Sequence, residues 1–297
     1  MSSRKVKTIN QTIVRVLVWA VLIANAGITV TGALVRLTGS GLGCPTWPLC
    51  TDESLVATPE MGIHGAIEFG NRLLTFVLLA VTIGALWVIW RSNRNRRDLL
   101  WLTIVLTLGI PLQAVVGGFS VWFALNPYIV GLHFVLSVIM VSLATILLIR
   151  VKDENSIVRF RDLSPLSRLV GLGVFAVVLI GILTTGSGPH AGDSAAQRNG
   201  LNPEQMQHLH AWPAYATLGF VVIAVARSKR RSWWFALLVL FGLQITVGIW
   251  QSRTGLPIEL VATHVLLAMA TVSVTTVAIY RNTISGSIAT TIKSTVK

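Results

Sequence analysis

The sequence predicts an all-α integral membrane protein with eight transmembrane helices, arranged as two pseudo-symmetric four-helix halves. Hydrophobic residues make up 53% of its 297 residues and charged residues only 12%, a composition too apolar for a soluble domain of this length. Apolar runs of about 20 residues, long enough to cross the hydrocarbon core of a bilayer, recur along the chain. The predicted spans are 14–36, 63–90, 99–120, 128–150, 168–187, 207–227, 232–251 and 258–280.

The first span has one feature of a secretory signal, because the basic residues Arg4, Lys5 and Lys7 precede it. Its apolar run is too long for a signal peptide, and no clear small-x-small cleavage site follows it. We therefore expect a membrane helix.

The net charge of +13 is distributed unevenly between the two sides of the predicted membrane. With the N-terminus in the cytoplasm, 20 of the 24 Lys and Arg residues fall on the cytoplasmic side, as the positive-inside rule requires. The sequence thus predicts a multi-pass cell-membrane protein with both termini in the cytoplasm, whose basic tracts face lipid headgroups rather than nucleic acid. These cytoplasmic segments are 1–15, 91–98, 150–168, 227–231 and 281–297. The other four arginines, in or beside the opposite loops, are Arg36, Arg72, Arg198 and Arg253.

Both cysteines, Cys44 and Cys50, lie in the first extracytoplasmic loop. An oxidising compartment permits a disulfide, and the short spacing with two intervening prolines is compatible with a small closed loop. Two interpretations are open: a structural staple, or a redox-active pair that caps a site. The loop carries no further cluster of Cys or His that would indicate zinc.

The chain repeats itself, which is typical of membrane proteins built from two similar halves. Each half carries a glutamine, a glycine four residues later and a histidine twenty residues after the glutamine: Gln113, Gly117 and His133, then Gln244, Gly248 and His264. The segment Thr-Gly-Ser-Gly occurs at 38–41 and again at 185–188, and Glu68-x-x-Asn71 corresponds to Gln207-x-x-His210. We expect an N-terminal half over 1–150, a cytoplasmic linker over 151–167 and a C-terminal half over 168–297.

Ionisable residues inside membrane spans are costly and are candidates for function. His133 and His264 occupy equivalent positions a few residues into the fourth and eighth spans, towards the extracytoplasmic side. A single intramembrane histidine can simply hydrogen-bond a neighbouring helix. A repeated pair with further histidines on the partner helices favours metal or heme ligation instead, because imidazoles on facing helices of a bundle can reach one iron from both sides. The small residues nearby have two interpretations, close helix packing or space for a flat macrocycle.

Glu68 lies inside the second span, with His64, Asn71 and Arg72 on the same broad helix face. One interpretation is an intrahelical ion pair between Glu68 and Arg72. The other is an acid that handles protons beside a reactive iron, with Arg72 available to a heme propionate. We favour the second, since a buried ion pair is costly to keep for structure alone.

These residues resemble the heme A synthase family, whose members convert heme O to heme A for cytochrome oxidase. The segment GALVRLTGSGLGCPTWPLC (32–50) is similar to the family's first-helix and cysteine-loop signature. IEFGNR (67–72) resembles its helix-two motif, and GLHFVLS (131–137) its helix-four histidine. The resemblance covers nearly the whole chain.

The resemblance implies two heme sites, one in each half. His210 and His264 would ligate a bound heme b, while the substrate heme O would lie in the N-terminal half with His133 as one iron ligand. Glu68 and Arg72 match the family's implicated glutamate and its neighbouring arginine. The implied reaction is successive oxidation of the heme C8 methyl group to a formyl group, with heme O delivered by heme O synthase and electrons from an unidentified donor.

The chain departs from the family pattern at two positions. Asn71 stands where the family has its helix-two histidine, and Ala211 stands where an arginine often follows the equivalent of His210. Asparagine is a poor iron ligand. His64 lies on the same helix face about 10 Å away, so it can replace the missing ligand only if the heme sits nearer the membrane surface. Otherwise His133 is the one histidine ligand of the substrate iron, or helix two shifts.

Two histidines remain without a primary role, His208 beside the stronger candidate His210, and His190 in a loop.

A di-heme b-type electron carrier is the alternative function, using the same histidine pairs without turnover. A small-molecule transporter is a third class, which the histidine placement disfavours. A homo-oligomer stays open.

Overall fold

The computed structural model describes residues 11–153, 157–228 and 231–295. The basic residues of the predicted cytoplasmic segments that lie outside these ranges are Arg4, Lys5, Lys7, Lys229, Arg230 and Lys297.

The described chain is all-helical, and eight of its helices are long and apolar enough to span a membrane, which confirms the predicted fold class at that level. They are α1 (Gln11–Leu37), α2 (Gly62–Ser92), α3 (Arg97–Trp122), α4 (Pro127–Lys152), α5 (Pro165–Ser187), α6 (Pro203–Arg227), α7 (Arg231–Arg253) and α8 (Ile258–Thr295). The apolar span within α8 is Ile258–Ile284.

Capping residues set where three of these helices begin. Asn126, Ser164 and Asn202 each accept a backbone N–H of the first turn, and each is followed by proline. A capping side chain satisfies an N–H that has no partner within the helix, and proline suits the first helical position. Helices α5 and α6 therefore begin at Pro165 and Pro203, three and four residues before the predicted starts of the apolar runs.

The helices pack as two connected groups. In the first, α1 contacts α2 and α4, and α3 contacts α2 and α4. In the second, α5 contacts α6 and α8, and α7 contacts α6 and α8. Helix α4 also packs against α5 and α8, and α1 packs against α8, so these helices form the interface between the groups.

The apolar core fills one end of the bundle. We call the end where α1 begins the proximal end, and the opposite end the distal end. The fully buried side chains occur early in the odd-numbered helices and late in α2 and α4, as antiparallel neighbours require; among them are Val14, Val18, Ile89, Leu99, Leu147 and Leu237. Because the densely packed core lies at the proximal end, the distal end is where the helices leave room for polar residues.

Hydrogen bonds join the two groups at both ends. At the distal end the Gly41 N–H donates to the Gly192 carbonyl oxygen at 2.8 Å. At the proximal end Arg150 donates from Nε to the Tyr280 hydroxyl at 2.8 Å, and Arg281 pairs with Asp153. The described parts of the chain therefore form one continuous bundle.

Candidate functional site

Three histidines, His133, His210 and His264, lie within the distal halves of α4, α6 and α8. The Nδ1 atom of each is buried and has no hydrogen-bond partner among the described residues. Buried polar atoms in proteins are nearly always paired, so three that are not call for a functional explanation.

His210 and His264 face each other across the second helix group. Their ring centres are 6.4 Å apart and their planes are inclined by 71°. A metal-bound imidazole nitrogen lies about 2 Å from the metal and roughly 1.1 Å from its own ring centre, so two imidazoles that hold one metal from opposite sides would have ring centres about 6.2 Å apart. The observed spacing would allow both imidazoles to hold one heme iron.

Each histidine ring lies against a glycine on a neighbouring helix. A Cβ atom on Gly117 would lie 3.4 Å from His133 Cε1, and one on Gly248 would lie 3.4 Å from His264 Cε1. On Gly181 it would lie 2.8 Å from His210 Cε1, closer than real Cβ contacts allow. These glycines therefore make room for the imidazoles, and the Gly117 and Gly248 contacts are nearly identical.

Gln113, the repeated glutamine of α3, ties that helix to the histidine helix. Its Nε2 donates to the His133 carbonyl oxygen at 3.3 Å and to Ser137 Oγ at 2.8 Å. These bonds hold α3 and α4 together beside the His133 ring.

Asn71 and His64, the two residues in question as iron ligands, each have a partner within the first helix group. Thr31 Oγ1 donates to Asn71 Oδ1 at 2.7 Å. His64 Nδ1 is 2.9 Å from Ser40 Oγ. His64 also lines an open cavity of about 520 Å³ between the loops of the two groups, with Gly39, Leu42, Gly43, Met61, Asp193 and Ser194.

Glu68 is 6% exposed and both of its carboxylate oxygens are bound. Oε2 accepts the Cys44 backbone N–H at 2.6 Å, and Oε1 accepts from Arg72 Nη2 at 2.6 Å. The ion pair between Glu68 and Arg72 is therefore present, and Glu68 also binds the cysteine loop through the Cys44 N–H.

Arg72 fastens the same loop. Its guanidinium donates to the carbonyl oxygens of Cys44, Thr46 and Leu49 at 3.0 to 3.1 Å. The disulfide between Cys44 and Cys50 is formed, and both sulfurs are buried. Glu68 and Arg72 thus hold a covalently closed loop over the distal end of α2.

Trp47, at the tip of this loop, reaches α3. A Cβ atom on Gly118 would lie 2.4 Å from Trp47 Cδ2, so only glycine lets the indole approach this closely. Trp122 donates from Nε1 to the Trp47 carbonyl oxygen at 3.0 Å, and the two rings meet edge to face. The tip of the loop therefore lies against Gly118, the neighbour of Gly117, and Gly117 borders the His133 ring. No repeat or charge pattern in the sequence indicated the contact between Trp47 and α3.

The two remaining histidines lie apart from His133, His210 and His264. His208 is exposed on α6. His190 Nε2 is 2.9 Å from the Leu256 carbonyl oxygen and links the loop after α5 to the turn before α8. Among the described residues, no group of three or more His, Cys, Asp or Glu side chains could hold a metal ion.

Fold and site together define a helical membrane protein with three half-buried histidines at one end of its bundle, each with a buried Nδ1 atom that has no partner among the described residues. The sequence matches the family described as cytochrome oxidase assembly protein over residues 15–64 and 56–276. The chain belongs to this family, which confirms the resemblance drawn from its motifs.

Several relatives bear the name heme A synthase. The chain is 37% identical to that of Listeria welshimeri over 125 residues, and 35% identical to that of Bacillus pumilus over 124 residues. These alignments cover 41% of this chain and only 41% and 39% of the relatives' own lengths. The heme A synthase of Bacillus licheniformis is 26% identical over 252 residues, which cover 76% of this chain and 82% of the relative.

Proposed function

We propose that this protein is a heme A synthase that oxidises the C8 methyl group of heme O in successive steps to a formyl group. The observation that carries the proposal is the pair His210 and His264, whose ring spacing fits two axial ligands of one iron. The relatives that bear this enzyme's name support the reaction. The product, heme A, would serve terminal oxidases.

His210 and His264 would hold heme b in the second helix group. The fit of the two rings against Gly181 and Gly248 supports this assignment. A heme with two histidine ligands supplies one-electron transfer when bound. The electron donor stays unidentified.

The substrate heme O would lie in the first helix group, with His133 as one iron ligand and with His64 as a second if the heme sits nearer the membrane surface. Asn71 Oδ1 accepts from Thr31, which fits a residue that is not an iron ligand. Ser40 contacts Nδ1 of His64, and a hydrogen bond at one ring nitrogen is usual for a histidine that binds metal through the other. The first group would receive its substrate from heme O synthase.

Glu68 would hold or move a proton at its carboxylate beside the substrate. Arg72 would keep the closed cysteine loop in place, since it binds three loop carbonyl oxygens. In this assignment the Cys44–Cys50 disulfide is a staple that shapes the loop.

The two helix groups would be pseudo-symmetric halves of a duplicated chain in the cell membrane. The same helix pairs pack within each group, and the contacts of Gly117 and Gly248 match. The distribution of Lys and Arg supports cytoplasmic termini, which would place the distal end and its histidines on the extracytoplasmic side.

The proposed function predicts both a spectrum and a product. The purified protein is expected to show the visible bands of a low-spin b-type heme, and membranes that contain it together with heme O synthase are expected to yield heme A on extraction. Membranes with heme O synthase alone are the control. A b-type spectrum without any heme A would contradict the synthase and support the electron carrier, while a heme-free protein would contradict both.

Gly181→Ala is expected to lower the content of heme b. The new Cβ would lie 2.8 Å from His210 Cε1 and 3.3 Å from Nδ1, so the ring must leave its position. The measurement is the ratio of heme to protein after purification. Gly219→Ala on α6 is the matched control, because its Cβ would meet no described atom within 4 Å; an equal loss in both variants would contradict the role of Gly181.

A further inference from the structure

Arg36, near the distal end of α1, crosses from the first helix group to the second. Its Nη2 donates to the Thr185 carbonyl oxygen at 3.1 Å, at the end of α5. Its Nε is buried and has no partner within residues 11–153, 157–228 and 231–284. A buried N–H of a guanidinium without an acceptor is costly, and it fits a site for an anionic oxygen.

A second arginine adds positive charge at the same place. Arg198 is close enough to Arg36 for the two charges to repel each other. Arg198 donates to the Pro189 carbonyl oxygen, and neither arginine forms an ion pair with a carboxylate in the described part of the chain. The loop's own acidic residue, Asp193, accepts the Ala195 N–H through Oδ1 at 2.8 Å.

Arg36 contacts α5 one helical turn beyond Gly181, the residue that borders the His210 ring. The Thr185 hydroxyl donates to the Gly181 carbonyl oxygen at 2.8 Å, and Gly181 is the residue against which the His210 ring rests. Arg36 binds Thr185 at the distal side of that turn. The residue after His210 is Ala211, so α6 itself carries no arginine beside its histidine.

We propose that Arg36, supported by Arg198, binds a propionate carboxylate of the heme held between His210 and His264, so that the first helix group supplies a cation to the heme of the second. The inference rests on the proposed function, because it needs that heme. A carboxylate accepts well from the Nε and Nη donors of one guanidinium. The carboxylate would offset part of the positive charge of the two arginines, neither of which pairs with a carboxylate in the described part of the chain.

Arg36→Gln tests the proposal on the purified heme-loaded protein. We expect a lower midpoint potential of heme b, because removing a nearby positive charge favours the ferric form. We also expect a steeper dependence of that potential on pH, because an unpaired propionate takes up a proton when the iron is reduced. Arg36→Lys keeps the charge and is expected to restore most of the potential.

Arg253→Gln is the matched control, since Arg253 is an exposed arginine at the distal end of α7. An unchanged potential in Arg36→Gln, or an equal shift in Arg253→Gln, overturns the proposal. If the Arg36→Gln protein does not accumulate, Arg36→Lys is measured in its place. A midpoint potential of heme b in Arg36→Lys that falls as far as expected for loss of the charge also overturns the proposal. Wild-type protein without heme would overturn the proposed function itself, and this inference with it.

A lipid phosphate is the competing anion at a membrane surface. Wild-type protein is therefore also measured in vesicles of phosphatidylcholine, with and without phosphatidylglycerol. The same midpoint potential in both supports a propionate. An effect of Arg36→Gln that occurs only with phosphatidylglycerol overturns the proposal in favour of lipid.

Discussion

Glu68→Gln is expected to lower heme A formation by about 100-fold or more, the range typical for loss of a general acid or base. Glutamine keeps the length of the side chain and an oxygen that can accept the Cys44 N–H, but it cannot exchange a proton near neutral pH. The heme b content is expected to stay unchanged, because Glu68 lies in the other helix group. The measurement is extracted heme A together with the b-type spectrum of the same membranes.

Glu259→Gln serves as the control for this variant, since Glu259 is exposed in the first turn of α8. The main competing explanation is structural, because Glu68 also holds the cysteine loop. Thiol labelling separates the two explanations. If Glu68→Gln keeps the disulfide and loses heme A, the acid is needed for the reaction; if Cys44 and Cys50 become reactive to thiol reagents, the loss comes from the loop, and the proposed proton-handling role is wrong.

His264→Ala and His210→Ala are each expected to abolish the low-spin b-type spectrum. Both rings are needed for two axial ligands on one iron, and the pair has a ring spacing of 6.4 Å that fits this arrangement. Loss of one imidazole leaves the iron with a single protein ligand. The measurement is the visible spectrum of the reduced protein, with total heme determined after extraction.

His208→Ala is the matched control, because His208 lies two residues from His210 on the same helix but is exposed. It is expected to keep the wild-type spectrum. A low-spin spectrum that survives in both His210→Ala and His264→Ala, but disappears in His133→Ala, would place heme b in the first helix group instead. The proposed assignment of the two sites would then be reversed.

The membrane helices were predictable because length and apolarity are local properties of a segment. All eight predicted spans lie within observed helices, and the starts of α5 and α6 differ because capping residues and prolines extend them beyond the apolar runs. The position of the packed core was not predictable. The spans are apolar along most of their length, so composition alone does not indicate that the buried apolar core lies at the proximal end.

The histidines of the site were predictable because the repeat marks His133 and His264 as equivalent. The contacts of Arg72 with the loop carbonyls and of Arg36 with Thr185 were not. They join segments 26 and 149 residues apart in the chain, and such pairs depend on how helices pack rather than on local pattern. One signal for Arg36 was present in the sequence: it is one of the four arginines that lie outside the predicted cytoplasmic segments.

The packing of α8 determines the order in which the two helix groups can be completed during synthesis. Chains are synthesised from the N-terminus, and earlier parts can fold first. Helices α1 to α4 form a complete group with its own contacts, whereas α8, which carries His264, packs against α7 and α5 of its own group and also against α1 and α4. The His210–His264 pair is therefore completed only when α8 docks on a scaffold that includes the His133 helix, so a nascent chain can form the first helix group before this pair exists.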